Sequence, residues 1–184
     1  MTRRVVLLDR DGVINADSDA FITRPELWQP LPGSLEAIAS LSAAGWQVAV
    51  CTNQSGVARG LLDEATLEAI HRRMEAEVEA AGGRLAGIFV CPHGPEAGCC
   101  CRKPRPGLLH QAAATLGVNM TGVPVVGDSL RDLQAAQAAG GRPMLVRTGQ
   151  GERTWRKLPA GLADVPVLAD LAAAAGRLLE EDRD

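Results

Sequence analysis

Val5-Val6-Leu7-Leu8-Asp9-Arg10-Asp11-Gly12 passes from four apolar side chains to a turn that carries two carboxylates. A short apolar run without alternation reads as a strand buried on both faces, as in a parallel sheet. The pattern recurs at 47–51, 85–91, 124–126 and 143–146, with a short edge strand expected within 164–169. Helical segments fall between these strands. One opens at Pro32-Gly33-Ser34 and runs to about residue 44. A second is capped by Asp63 and stopped by Gly82-Gly83, and others cover 106–117 and 130–139. A last helix leads into an acidic tail, 180–184, expected to fray. Strands alternating with helices of this length predict an α/β fold: a Rossmann-like parallel sheet with helices on both faces. The stretch from Asp11 to the first helix is short, and 56–103 is taken up by a helix, a strand and a cysteine-rich loop at 91–101. That leaves no room for a large cap, so 1–184 is expected to form one domain.

Composition narrows the function. Of 184 residues, 46% are hydrophobic and 22% charged, with a formal net charge of -3. This balance, with no tyrosine and two phenylalanines, gives neither the basic face nor the stacking platforms that nucleic-acid binding uses. No apolar run approaches the roughly 18 residues of a membrane span. The four apolar residues after Met1-Thr2-Arg3-Arg4 fall short of the ~7 of a signal peptide's apolar region. A cytoplasmic protein is expected, and a monomer, since nothing in the chain forces a dimer.

In open parallel sheets, ligands bind beyond the carboxyl ends of the strands. Those ends here read Asp9-Arg10-Asp11-Gly12, Thr52-Asn53-Gln54-Ser55-Gly56 and Gly127-Asp128-Ser129. Asp9 and Asp11 project to the same side if the strand stays extended, and two such carboxylates repel unless a cation compensates. With Asp128 they form a hard-oxygen set suited to Mg²⁺. Any one of these aspartates alone would read as a helix N-cap; three at neighbouring strand ends argue for a metal. The 52–56 turn offers hydroxyls, amides and backbone N–H groups to phosphate oxygens, and Arg102-Lys103 adds cations that could neutralise a transferring phosphoryl group.

Five cysteines, four of them late in the chain, suggest a metal rather than disulfides. Cys91, His93, Cys99 and Cys101 pair at i, i+2 on both sides and suit a closed tetrahedral Zn²⁺ site, with Cys100 left over. Such a site is structural, and Lys103 follows it by two residues, so zinc is expected to pin the loop that presents the cations. A zinc-binding nucleic-acid module would also use this cluster, but it leaves the three aspartates unexplained. Cys51, inside a strand, reads as core.

Asp9-Arg10-Asp11-Gly12-Val13, Thr52 after a strand, Lys103, and Gly127-Asp128 with Asp132 resemble the four ordered motifs of the haloacid dehalogenase superfamily of phosphatases, over residues 5 to about 148. The resemblance implies a nucleophile at Asp9 that forms an aspartyl-phosphate and a general acid–base at Asp11. Thr52 and Lys103 would stabilise the phosphoryl oxygens, and Asp132 would orient Lys103. Mg²⁺ would be held by Asp9, the backbone carbonyl of Asp11, and Asp128. Cys-Pro-His followed by Cys-x-Cys-Arg-Lys-Pro is similar to the histidinol-phosphatase-related branch of this superfamily. That likeness implies a small phosphorylated sugar as substrate: a heptose 1,7-bisphosphate of lipopolysaccharide synthesis, losing its C7 phosphate, with histidinol phosphate as the alternative. It also implies that Arg102 meets the second phosphate and that Asp17, Ser18, Asp19, Ala20, Asn53, Gln54, Ser55 and Ser129 line the substrate site. Ser129 stands where a larger cation can occur in the family.

Overall fold

The computed structural model describes residues 4–182, so Met1 to Arg3, Arg183 and Asp184 lie outside the described residues. In chain order the elements are β1 (Val5–Leu8), α1 (Ser34–Ala43), β2 (Gln47–Asn53), α2 (Glu64–Ala80), β3 (Leu85–Cys91) and α3 (Gly107–Leu116). They continue as β4 (Pro124–Gly127), α4 (Leu130–Ala139), β5 (Arg142–Val146), α5 (Gly151–Trp155), β6 (Val167–Leu168) and α6 (Leu171–Glu181). The strands form one parallel sheet in the order β3-β2-β1-β4-β5-β6.

Period-two alternation divides the apolar residues of the central strands between two layers. Val6, Leu8, Val48 and Val50 pack with Ile38 and Leu41 of α1, Ile70 and Met74 of α2, and Ala174 and Leu178 of α6. Val5, Leu7, Ala49 and Cys51 pack on the other side with Leu108 and Ala112 of α3 and Ala135 and Ala136 of α4. The expected layering and the core position of Cys51 are therefore present. The sheet reverses its direction of growth between β1 and β4, and a ligand crevice opens at the carboxyl ends of such a pair. Asp9 and Asp128 are the first residues beyond these two strands.

Several boundaries differ from expectation. β2 runs on to Asn53 because Thr52 and Asn53 continue the ladder against Val90 and Cys91. The edge strand shrinks to Val167–Leu168. The 180–184 tail does not fray where it is described: Glu181 ends α6 and pairs with Arg142 at 2.7 Å and Arg177 at 2.9 Å, and Asp182 pairs with Arg4 at 2.7 Å. Short 3-10 turns at Pro25–Leu27, Pro95–Ala97 and Ala160–Leu162, and the five-residue α5, were not expected. No helix among the described residues is long and apolar enough to cross a membrane.

Candidate active site

The chain leaves β1 through a tight turn in which the amides of Val13 and Ile14 donate to the carbonyl of Arg10. Gly12 lies in the left-handed region at φ 81°, and a Cβ there would collide with the Asp128 carboxylate. Only glycine lets the two strand ends approach so closely. Asp9 receives the Arg10 amide on Oδ1 at 2.8 Å and the Lys103 ammonium on the same oxygen at 3.0 Å. Lys103 is 3% exposed, and it also donates to Asp132 at 2.6 Å and to the Cys51 carbonyl at 2.8 Å. Its backbone is clamped to the end of β2: Asn53 Nδ2 donates to the Lys103 carbonyl, and the Lys103 amide returns a bond to Asn53 Oδ1, both at 3.1 Å. Asp132 is held from the other side by Ser129, whose amide and hydroxyl both donate to Oδ2, closing a capping box on α4.

The electrostatics follow from this crowding. Burial, then the Asp132 charge, push the Asp9 carboxyl up to about 7, and burial with the Asp9 and Asp132 charges pushes Asp128 up to about 8. Asp132 is also buried, yet Lys103 and Ser129 hold it below the usual carboxylate range. Burial alone would lower Lys103, but Asp132 and Asp9 raise it. One ammonium therefore pairs with two carboxylates, Asp9 and Asp132, with Asp128 close by, and the set still lacks positive charge. One oxygen from each of Asp9, Asp128 and Asp132 lies within 4.8 Å of the others, a hard-ligand group that a divalent cation would complete. Asp132 thus joins Asp9 and Asp128 in the carboxylate cluster as well as pairing with Lys103.

Asp11 is set apart from that cluster. Its carboxylate accepts from Arg10, Asn15 and Gln54, at distances of 2.8 to 3.2 Å. Burial works to raise it, but the Arg10 guanidinium and these hydrogen bonds hold it below the usual range. Thr52 is fully buried and does not reach the cleft surface; its hydroxyl accepts from Gln54 at 2.9 Å.

Around these groups lies a cleft of about 300 Å³ whose lining includes Asp9, Asp11, Lys103 and Asp128. Of the residues expected at the substrate site, Asp17, Ser18, Asp19, Asn53, Gln54, Ser55, Arg102 and Ser129 line it. Ala20 does not: it is exposed, and the next residue, Phe21, turns inward instead with φ 62°. Arg59 and Arg131, unremarked in the sequence because exposed arginines are ordinary, also border the cleft, with the Arg59 guanidinium 5.7 Å from the Phe21 ring centre.

The cysteine loop brings Cys91, His93, Cys99 and Cys101 together and leaves Cys100 exposed. Cys101 Sγ stands 3.3 Å from Cys91 Sγ and 3.4 Å from His93 Nδ1, and Cys91 Sγ is 3.8 Å from Cys99 Sγ. Zn–S bonds of about 2.3 Å in a tetrahedron put sulfurs roughly 3.8 Å apart, so these four side chains could hold Zn²⁺. The loop is tied to the cations it precedes: Arg102 donates to the His93 carbonyl at 3.1 Å, and Arg105 to that of Cys99.

An aspartate paired with a buried lysine and a carboxylate cluster at the switch point of a Rossmann-like sheet are the arrangement of a haloacid-dehalogenase-type phosphatase. Residues 100–174 match the HAD-hydrolase-like family. The D-glycero-beta-D-manno-heptose-1,7-bisphosphate 7-phosphatase of Bordetella bronchiseptica is 54% identical over 97% of this chain and 99% of its own length. The enzyme of that name from Pseudomonas aeruginosa is 52% identical over 98% and 100%. The crystal structure of the B. bronchiseptica D,D-heptose 1,7-bisphosphate phosphatase, complexed with magnesium and phosphate, superposes with a TM-score of 0.92 at 54% identity, covering 97% of this chain and 99% of the other. The chain belongs to the D-glycero-β-D-manno-heptose-1,7-bisphosphate 7-phosphatase family, phosphoric monoester hydrolases of HAD-like fold.

Proposed function

We propose that this chain hydrolyses the C7 phosphate of D-glycero-β-D-manno-heptose 1,7-bisphosphate, with Asp9 as covalent nucleophile and Asp11 as acid and base. The observation that carries the reading is the buried Lys103 bridging Asp9 and Asp132 beside Asp128, at the joint ends of β1 and β4. Both Lys103 and the Arg10 amide engage Oδ1 of Asp9, and Asp9 lines the cleft.

In the first step a carboxylate oxygen of Asp9 bonds to phosphorus as the ester P–O bond breaks, and the departing sugar oxygen takes a proton from Asp11. In the second, water attacks the aspartyl-phosphate while Asp11 takes a proton from it, releasing inorganic phosphate and regenerating Asp9. Arg10 holds Asp11 below the usual carboxylate range in the free protein, so the proton given up in the first step enters with the substrate, whose phosphate monoester titrates at about pH 6, and passes to Asp11 before the ester bond breaks. Lys103 holds Asp9 in line and balances charge on the phosphoryl oxygens. Mg²⁺, held by Asp9, Asp128 and the Asp11 carbonyl, with Asp132 beside them, would supply the remaining positive charge that phosphoryl transfer needs. Arg102, which donates to the His93 carbonyl of the cysteine loop, would meet the phosphate that stays on the sugar.

The test is phosphate release from the β-heptose 1,7-bisphosphate with Mg²⁺, beside histidinol phosphate. A kcat/KM at least about a hundredfold higher on the bisphosphate, lost by a factor of about 10³ or more in Asp9→Asn, is expected. Equal turnover of both substrates would overturn the specificity, and an active Asp9→Asn the covalent mechanism.

A further inference from the structure

Arg10 sits between two reactive aspartates, yet its side chain is wholly inaccessible to solvent. A guanidinium is buried only when its donors are met, because the desolvation cost of an unpaired charge is several kcal/mol. Nε and Nη2 form a fork on the Asp11 carboxylate at 3.1, 2.9 and 3.2 Å. Nη1 points away from the site and meets Nε2 of His71 at 3.1 Å. Arginine has no acceptor and does not lose its proton in proteins, so His71 Nε2 must accept, which makes His71 a neutral imidazole protonated at Nδ1. His71 is itself 8% exposed and lies on the inward face of α2 with Leu67, Ile70 and Met74. His71 has no part in the steps described above, and the Arg10 side chain enters them only through its pairing with Asp11.

We propose that His71 and Arg10 form a positioning relay: α2, through the His71 imidazole, fixes the rotation of the Arg10 fork and thereby aims the Asp11 carboxyl at the leaving oxygen. The inference rests on Asp11 being the leaving-group acid. Asn15 and Gln54 bond Asp11 from other sides, but each offers a single amide to it. Only the arginine fork engages both carboxylate oxygens from one rigid plane, and His71 is what stops that plane from pivoting. A lysine at position 10 would keep the charge and lose the plane.

A positioning role for an acid has a signature that general loosening of the fold lacks. A sugar alkoxide departs only with a proton, whereas p-nitrophenolate departs without one. For a covalent mechanism, kcat/KM reports the steps up to departure of the leaving group. His71→Leu is expected to lower kcat/KM on the heptose bisphosphate by about 10–100-fold, the usual cost of losing a supporting hydrogen bond behind a reactive group. On p-nitrophenyl phosphate the loss should be at least about tenfold smaller. His71→Gln, which restores a neutral acceptor, should recover most of the difference, and Arg10→Lys should reproduce the selective loss. Should His71→Leu fail to fold by circular dichroism, Arg10→Lys decides. Asp11→Asn is the reference. If it hits both substrates alike, the reading of Asp11 as leaving-group acid fails. If it is selective while the folded His71→Leu and Arg10→Lys variants are not, the relay alone is overturned.

Discussion

Burying an ammonium group between carboxylates carries a desolvation cost of several kcal/mol per ion, and Lys103 offsets it with contacts to Asp9, Asp132 and the Cys51 carbonyl. Removing the lysine would strand Asp132, 1% exposed, beside a second buried carboxylate. Lys103→Met should therefore cost about 3–5 kcal/mol of stability, read from urea unfolding without magnesium, together with activity. A loss under about 1 kcal/mol would mean that the carboxylates do not depend on it. Asp9 and Asp128 were legible in the sequence because each stands just past a strand end, where polar residues have no packing role, and Lys103 because it sits in a cation pair; Asp132, inside α4, came only with the family resemblance. Arg10 and His71 were not. An arginine between aspartates reads as a solvated counter-ion, and a histidine on an amphipathic helix as ordinary, until burial and the 3.1 Å contact are known. Phe21 escaped for a different reason: its inward turn depends on a positive φ that only Gly, Asn or Asp advertises in a sequence.

Among the elements, the cysteine loop joins β3 to the cation pair: Cys91 ends the strand, and Cys101 stands two residues before Lys103. Cys91, Cys99 and Cys101 pack against the core on the α3–α4 side, while the core on the α1, α2 and α6 side holds no residue of this loop. Removing zinc with a chelator, then restoring magnesium, is expected to lower kcat/KM on the bisphosphate by roughly tenfold or more, while the far-UV circular dichroism changes little. Collapse of the far-UV signal would instead make the metal a requirement for the fold. The spacing of the loop was readable because ligand pairs at i, i+2 have few other uses. The short 3-10 turns and the five-residue α5 were not, being held by local backbone bonds and by Thr154 and Gln150, which donate to Asp128.

Across the whole molecule, protons and magnesium compete for one set of carboxylates. A carboxyl raised above its unfolded value near 3.8 adds stability that is complete below that pH and lost as pH rises through the folded value, here about 7 for Asp9 and about 8 for Asp128. His71, pushed down to about 4 by burial and Arg10, acts in the opposite sense: its contribution is present above its unfolded value of 6.5 and lost as pH falls toward 4. The carboxylates therefore dominate above pH 6.5. With zinc retained, the rise in melting temperature caused by magnesium should grow from pH 6.5 to 8.5, as fewer protons must be displaced. An increment that shrinks over that range would contradict the carboxylate cluster as the binding site.

The sheet order has a consequence for how activity is gained. The groups of the cleft are supplied by the ends of β1, β2 and β4 and by the cysteine loop, and strands adjacent in space are distant in the chain, as β1 and β4 are. A fragment that stops short of β4 lacks Asp128 and Asp132, so the first turnover a refolding chain performs marks the docking of that strand beside β1, and catalysis can serve as the clock for assembly.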